Sequence, residues 1–216
     1  MYVKDRMTQD PYCITQDTAI SKALDIMSQN DFHRIPVVAD GKLVGLVTEG
    51  TITANTPSQA TSLSIYELNY LLSKTTVKDV MIKDVQTIDP DALLEEAAVK
   101  MRKNDIGCLP VVKNASVVGI ITQNDIFDAF VDLLGYYNGG ARYVLEISED
   151  HPGILSNITE LFFNKNANIT NLAVYRKPEH IDVVIRANNV DHHVMGKILN
   201  DAGYKVVSTI ETSENE

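Results

Sequence analysis

The sequence predicts a duplicated α/β unit over its first two thirds, followed by a smaller α+β domain of ferredoxin-like βαββαβ order. Three observations predict this. The chain matches itself without a gap at an offset of 74 residues, each copy alternates helical with strand periodicity, and a different element order begins after Gly139-Gly140.

The internal match organises the first two thirds of the chain. Val3-Lys4-Asp5-Arg6-Met7 falls on Val77-Lys78-Asp79-Val80-Met81, and Ile35-Pro36-Val37-Val38 on Leu109-Pro110-Val111-Val112. Val44-Gly45-Leu46-Val47-Thr48 falls on Val118-Gly119-Ile120-Ile121-Thr122, while Met27, Asn30 and Asp31 recur as Met101, Asn104 and Asp105. A register kept over roughly fifty residues marks a repeated supersecondary unit.

Within each copy, Ile20, Ala23, Leu24 and Met27, and then Leu94, Ala97, Ala98 and Met101, form one apolar helical stripe. Asp17 and Asp91 stand just upstream, where a helix N-cap would be. Two β-branched runs follow, 35–38 and 43–48, joined by Asp40-Gly41; the second copy repeats them at 109–112 and 117–122 around Asn114-Ala115. A further helix closes each copy, the later one over 124–134 and stopped by Gly135. Each unit thus reads strand, helix, strand, strand, helix, and one alone is too small to cover its sheet, so the two should pack together. Between them, Asn55 to Gln59 is polar, and Ser64 to Leu72 has the spacing of a connector helix. The expected boundaries are 1–56 and 77–135 for the two units, 57–76 for the connector, 136–141 for a linker and 142–212 for the last domain.

In that last domain, Tyr143 to Ser148 reads as a strand and Asp150-His151-Pro152-Gly153 as a turn. Ile154, Ile158, Leu161 and Phe162 form a helical stripe, 169–175 and 181–186 are strands, Val194, Ile198 and Leu199 mark a second helix, and 204–210 is the last strand. His192 and His193 are adjacent on that helix and expected to diverge.

Composition bounds the function. The 216 residues carry a net charge of −10, which opposes broad nucleic-acid binding. No apolar run reaches the length of a membrane span and the first residues lack a signal-peptide core, so a cytoplasmic protein with no membrane or nucleic-acid partner is expected. Cys13 and Cys108 have no CxxC spacing and read as small, partly buried apolar residues.

The order h-P-V-V, short turn, V-G-h-h-T-x-x-D-h resembles the CBS domain, which occurs in tandem pairs, and both copies match it throughout. The resemblance implies adenosyl-ligand binding, AMP- or ATP-like, in the cleft of the pair. Physical chemistry agrees at Gly119-Ile120-Ile121-Thr122-Gln123-Asn124-Asp125: a strand ends where a helix begins, and free amides with a hydroxyl suit phosphate. A carboxylate three residues on can accept from two vicinal hydroxyls. Thr122 is thereby expected at phosphate and Asp125 at ribose, although T-x-x-D is also ordinary capping chemistry. Asn124, Thr87, Gly107, Leu109, Pro110, Thr48 and Arg34 complete the expected nucleotide contacts, Arg34 as a charge for phosphate or as a solvated surface residue. The first copy has Thr51 where the acid belongs, which puts its site in doubt.

E-D-H-P-G-I-L after the first strand of the last domain, with Ala167-Asn168-Ile169 before the second, resembles the ACT domain, whose members bind small effectors, often amino acids, between two copies. Asp150, Pro152, Gly153, Ile154, Leu155 and Asn168 are the expected effector contacts: glycine for close approach, the opening amides for a carboxylate, Asp150 for an α-ammonium. Turn and cap chemistry alone would use the same residues.

A CBS pair with a C-terminal ACT domain is similar to the acetoin-utilisation protein B family, which implies metabolic regulation. The expectation is a non-enzymatic, homodimeric ligand sensor acting on a regulated protein target. It has no catalytic residue, metal site or resident cofactor, since no triad, P-loop or ligand cluster has the required spacing. The alternatives are an ACT domain serving only dimerisation, and a nucleotide-processing enzyme or transcription regulator.

Overall fold

The computed structural model describes residues 1–56 and 64–212. Its compact units are Met1–Ile126 and Phe127–Glu216. The polar stretch Pro57-Ser58-Gln59 lies outside the described residues.

The first unit opens on a 3-10 turn, Val3–Asp5, and the short strand β1 (Thr8–Gln9). Then come α1 (Ile20–Asn30), β2 (Arg34–Ala39), β3 (Lys42–Thr48) and α2 (Glu49–Ala54). The connector helix α3 spans Ile65–Lys74. The second copy supplies α4 (Val77–Val80), α5 (Leu94–Asn104), β4 (Cys108–Lys113), β5 (Ser116–Thr122) and α6 (Gln123–Leu133).

The leading strand of each copy shrinks to one parallel bridge, Ile14 with Val37 and Ile88 with Val111. Neither Asp17 nor Asp91 caps a helix. The N-caps are Ala19 and Leu93, without a side-chain bond. Main-chain carbonyls do that work instead: Ile20 N donates to Thr75 O (3.0 Å) and Leu94 N to Met1 O (3.1 Å). In return Val77 N donates to Thr18 O and Val3 N to Ala92 O, so the start of α1 is closed by the end of the connector and the start of α5 by the first copy. Asp91 is left free to pair with Lys4 and Lys113.

The recurring Asn-Asp has a backbone reason. Asp31 and Asp105 are the C-caps of α1 and α5, with φ of 56° and 53°, a left-handed conformation that Asp tolerates better than most residues. Both hairpin turns also need positive φ: Asp40 and Gly41 at 49° and 74°, Asn114 and Ala115 at 53° and 68°. Ala115 has a Cβ where the first copy has glycine. Ala115→Gly should therefore stabilise the chain by about 0.5 kcal/mol, the left-handed penalty less the entropy glycine loses on folding. A higher urea midpoint at unchanged slope would register it.

The two copies also exchange a strand edge. Thr8 and Gln9 pair antiparallel with Ile120 and Gly119 of β5, and Ile82 bridges Leu46 of β3 in the same manner. The exchange is what the sites below depend on.

In the second unit β6 (Gly140–Ile147), α7 (Ile154–Phe163), β7 (Asn168–Arg176), β8 (Ile181–Asn188), α8 (His192–Asp201) and β9 (Lys205–Thr212) give the βαββαβ order. The sheet runs β7-β8-β6-β9, antiparallel throughout. The first strand starts at Gly140 rather than Tyr143 because Gly140 and Ala141 find partners in Thr212 and Glu211. Tyr143, Leu145, Ile158, Phe162, Ile185, Met195 and Leu199 are buried in one core, with the Tyr143 and Phe162 rings edge to face at 5.5 Å. The histidines do not diverge: the His192 and His193 rings lie with centroids 4.0 Å apart at the first two positions of α8, where no preceding turn crowds them.

Candidate functional site

Two cavities in the first unit are related by the same 74-residue offset. The first lies at the end of β5. It measures about 360 Å³ and is lined by Thr122, Gln123 and Asn124 of the strand-to-helix junction and by Gly107. The first copy closes it with Thr8 to Tyr12 except Gln9, and with Asp31 to Arg34 and Pro36. Pairing of Thr8 with Ile120 is what carries the 8–12 segment to this wall. The second cavity, about 330 Å³, has Thr48, Glu49 and Gly50 at the corresponding junction and Ile82 to Gln86, apart from Lys83, on the corresponding wall.

Arg34 lines both cavities. Its guanidinium packs so closely on Gly107 that a Cβ there would stand 2.9 Å from Nη1. Beside it lies the Cys108 thiol; burial pushes that thiol up, against the opposing pull of the Arg34 charge. Among the described residues Arg34 makes no ion pair. A half-buried cation without a carboxylate, at the boundary of two concave sites, is available to an anion.

Asp125 is half-buried and is not among the residues that line the first cavity. Its Oδ2 accepts from the Thr122 amide (2.6 Å) and hydroxyl (2.8 Å), so in this state it caps α6. Its other oxygen makes no hydrogen bond among the described residues. In the first copy the Thr51 hydroxyl takes the same place, accepting from the Thr48 amide at 3.0 Å and donating to the Thr48 carbonyl at 2.9 Å. No second carboxylate oxygen exists there.

Of the other expected contacts, Thr122, Asn124, Gly107 and Arg34 meet in the first cavity, and Thr48 lies in the second with Arg34 and Gly107. Leu109 and Pro110 are buried in β4, and Thr87 receives the Lys100 ammonium on its carbonyl at 2.7 Å. None of these three lines either cavity. Pro36, the 74-offset counterpart of Pro110, does. Tyr12, Phe32 and Pro36 supply an apolar wall that sequence reasoning did not single out; the offset alone, applied to residues 8–12 against 82–86, carried the signal. His33 bonds Glu49 through Nδ1 at 3.0 Å, and no group of three metal-ligating side chains occurs among the described residues.

The loop expected to hold an effector is arranged differently. Gly153 has φ of 91° and open space at its Cβ, and it is the N-cap of α7. Asp150 pairs with Arg176 at 3.3 Å. Pro152, Leu155 and Asn168 are exposed and Ile154 is buried.

Comparison with known proteins follows the same division. The CBS domain family model matches residues 3–55 and 77–132, and the ACT domain model 143–202. The chain belongs to the CBS domain family, as a tandem pair followed by an ACT domain. A putative acetoin utilization protein, AcuB, from Vibrio cholerae is 32% identical with a TM-score of 0.52, over 62% of this chain and 93% of that one. The CBS domain pair of protein MJ0100, solved with 5′-methylthioadenosine and S-adenosyl-L-methionine, is 29% identical (TM-score 0.50) over 60% of this chain and 99% of that one. CBSX2, solved with AMP, is 26% identical (TM-score 0.50) over 61% and 96%. Homoserine O-acetyltransferase of Methanohalobium evestigatum is 34% identical over 58% of this chain, a span that makes up only 23% of the acetyltransferase. Among the described residues no helix is long and apolar enough to cross a membrane.

Proposed function

We propose that the chain is a non-enzymatic regulatory sensor whose CBS pair binds an adenosyl nucleotide in the cavity at the end of β5. One observation carries this reading: a concave site built from both copies joins a strand-to-helix junction, an apolar wall and the unpaired Arg34. Amides and the Thr122 hydroxyl at the start of α6 suit phosphate, as does Arg34. Tyr12, Phe32 and Pro36 suit the flat apolar faces of a base. The free oxygen of Asp125 suits the ribose, once the carboxylate swings from its capping place. Two structurally similar CBS proteins were solved with adenosyl ligands, which supports the class while leaving AMP, ATP and S-adenosylmethionine open. The match to an acetyltransferase covers too little of that enzyme to lend its activity to this chain. The domain limits adopted with this reading are 1–56 and 77–135 for the pair, 57–76 and 136–141 for the joins, and 142–212 for the ACT domain, whose first strand reaches back into the join as far as Gly140.

In the ACT domain, Asp150, Pro152, Gly153, Ile154, Leu155 and Asn168 form our candidate amino-acid site, in a homodimer that modulates a protein target by conformational change. The Asp150–Arg176 pair favours a second reading, in which this loop is structural and the domain serves only to dimerise.

Thermal shift with AMP, ATP, S-adenosylmethionine and 5′-methylthioadenosine tests the nucleotide site. A ligand at a hundred times its Kd adds about 2.7 kcal/mol to stability and raises the Tm by several degrees. Asp125→Asn keeps an acceptor for the helix cap and should remove most of that rise, whereas Thr51→Ala should leave it. Equal responses of the two variants would mean that the site is misplaced.

A further inference from the structure

The ACT sheet packs α7 and α8 on one face only. Along β8, Val183, Ile185 and Ala187 point into that core, so Val184 and Arg186 belong to the opposite face. Both are nonetheless buried, with Val184 8% and Arg186 5% exposed. What covers them is the end of α6 and the segment after it, fastened by Asn171, whose Nδ2 donates to Leu133 O at 2.9 Å. A cavity of about 430 Å³ remains between this cover and the sheet. Its walls include Phe130, Leu133, Leu172, Val184 and Ile210, and two cations, Arg142 and Arg186, also line it.

Arg186 is the unusual member. Its Nη1 donates to Asn138 O (3.1 Å) and Thr212 Oγ1 (2.6 Å), but its Nε is buried without a partner. Among the described residues no carboxylate pairs with it, and the cavity is lined by no Asp or Glu. Burial, with Arg142 beside it, pulls its pKa below the usual arginine range. In a chain of net charge −10, two guanidiniums meeting with no acid among the described residues ask for an anion.

We propose that this cavity is a binding site for a small organic carboxylate with an apolar body, its head held by Arg142 and Arg186. The guanidinium fork matches a carboxylate, and the aliphatic and aromatic walls take the body. A free amino acid fits poorly, because its α-ammonium would face two cations and find no acid among the described lining residues. A sugar phosphate fits poorly because its hydroxyls would meet apolar walls. The site is separate from the Asp150 loop and from both cavities of the CBS pair, so it stands or falls independently of them.

Two matched pairs test it by isothermal titration of the full chain: 4-methylpentanoate against leucine, and 3-phenylpropanoate against phenylalanine. Within each pair the skeleton is shared and only the α-ammonium differs. At least one acid should bind saturably, with its amino acid at least tenfold weaker. Arg142→Met should weaken the acid about tenfold at an unchanged Tm. Arg186→Met, an apolar replacement of similar length, should do so even if the fold is shifted in stability. Several results would overturn the proposal: no saturation by either acid at millimolar concentration, amino acids binding as tightly as the acids, or both arginine variants binding normally.

Discussion

Arg34→Ala should weaken adenine-nucleotide binding by roughly ten- to a hundredfold while leaving the fold nearly untouched. Arg34 holds no carboxylate, so its removal breaks no ion pair; it gives up a packing contact with Gly107 and a cation beside the Cys108 thiol. A charge-assisted hydrogen bond to phosphate is worth about 1.5–3 kcal/mol, and 1.4 kcal/mol is a factor of ten in affinity. Because the side chain lines both cavities, the loss should appear whichever of them the nucleotide occupies. Arg34→Lys keeps the charge and loses the planar fork, so it should fall between wild type and alanine. Titration calorimetry with AMP is the direct reading. An unchanged affinity in the alanine variant would remove phosphate recognition from this residue and, with it, the main electrostatic reason for placing a nucleotide here.

The sequence carried the fold further than the site, for a definable reason. Helical stripes and β-branched runs are local patterns, and the 74-residue offset doubled every one of them, so the elements and their order could be read directly. The helix starts were misread because their acceptors come from afar: Thr75 and Met1 carbonyls replace the side chains of Asp17 and Asp91. Within the site, the junction Thr122-Gln123-Asn124 is contiguous and therefore legible. The opposite wall is not, because residues 8–12 reach it only through the pairing of Thr8 with Ile120, 112 positions away. Asp125 shows the remaining limit. T-x-x-D has the same spacing whether the carboxylate caps its helix or holds a sugar, and here the described state is the cap.

The glycine of each V-G-h-h-T motif follows from that same exchange, and replacing it should be among the most costly changes in the pair. A Cβ built on Gly119 would overlap Met7 Sδ and stand 3.0 Å from the Thr8 carbonyl; on Gly45 it would meet Met81 Sδ and stand 3.1 Å from the Ile82 carbonyl. The thioether can move, since methionine is adaptable, whereas the carbonyls belong to the backbone of the exchanged edge and can give way only if that edge shifts by a few tenths of an ångström. Gly119→Val should therefore cost about 3 kcal/mol, the upper end of ordinary overpacking, by forcing β1 off β5. Met7→Ala in the same chain should recover about 1 kcal/mol of this, because it clears the sulfur and leaves the carbonyl clash. Chemical denaturation of the two single variants and the double variant measures the coupling. The displaced edge is also the wall of the nucleotide cavity, so Gly119→Val should weaken AMP binding where Ala115→Gly, on the hairpin away from both cavities, leaves it alone. A valine tolerated at position 119 with less than about 1 kcal/mol of loss would show that the exchanged edge yields easily. It would then be no fixed wall, and the cavity it closes would not be preorganised for a ligand.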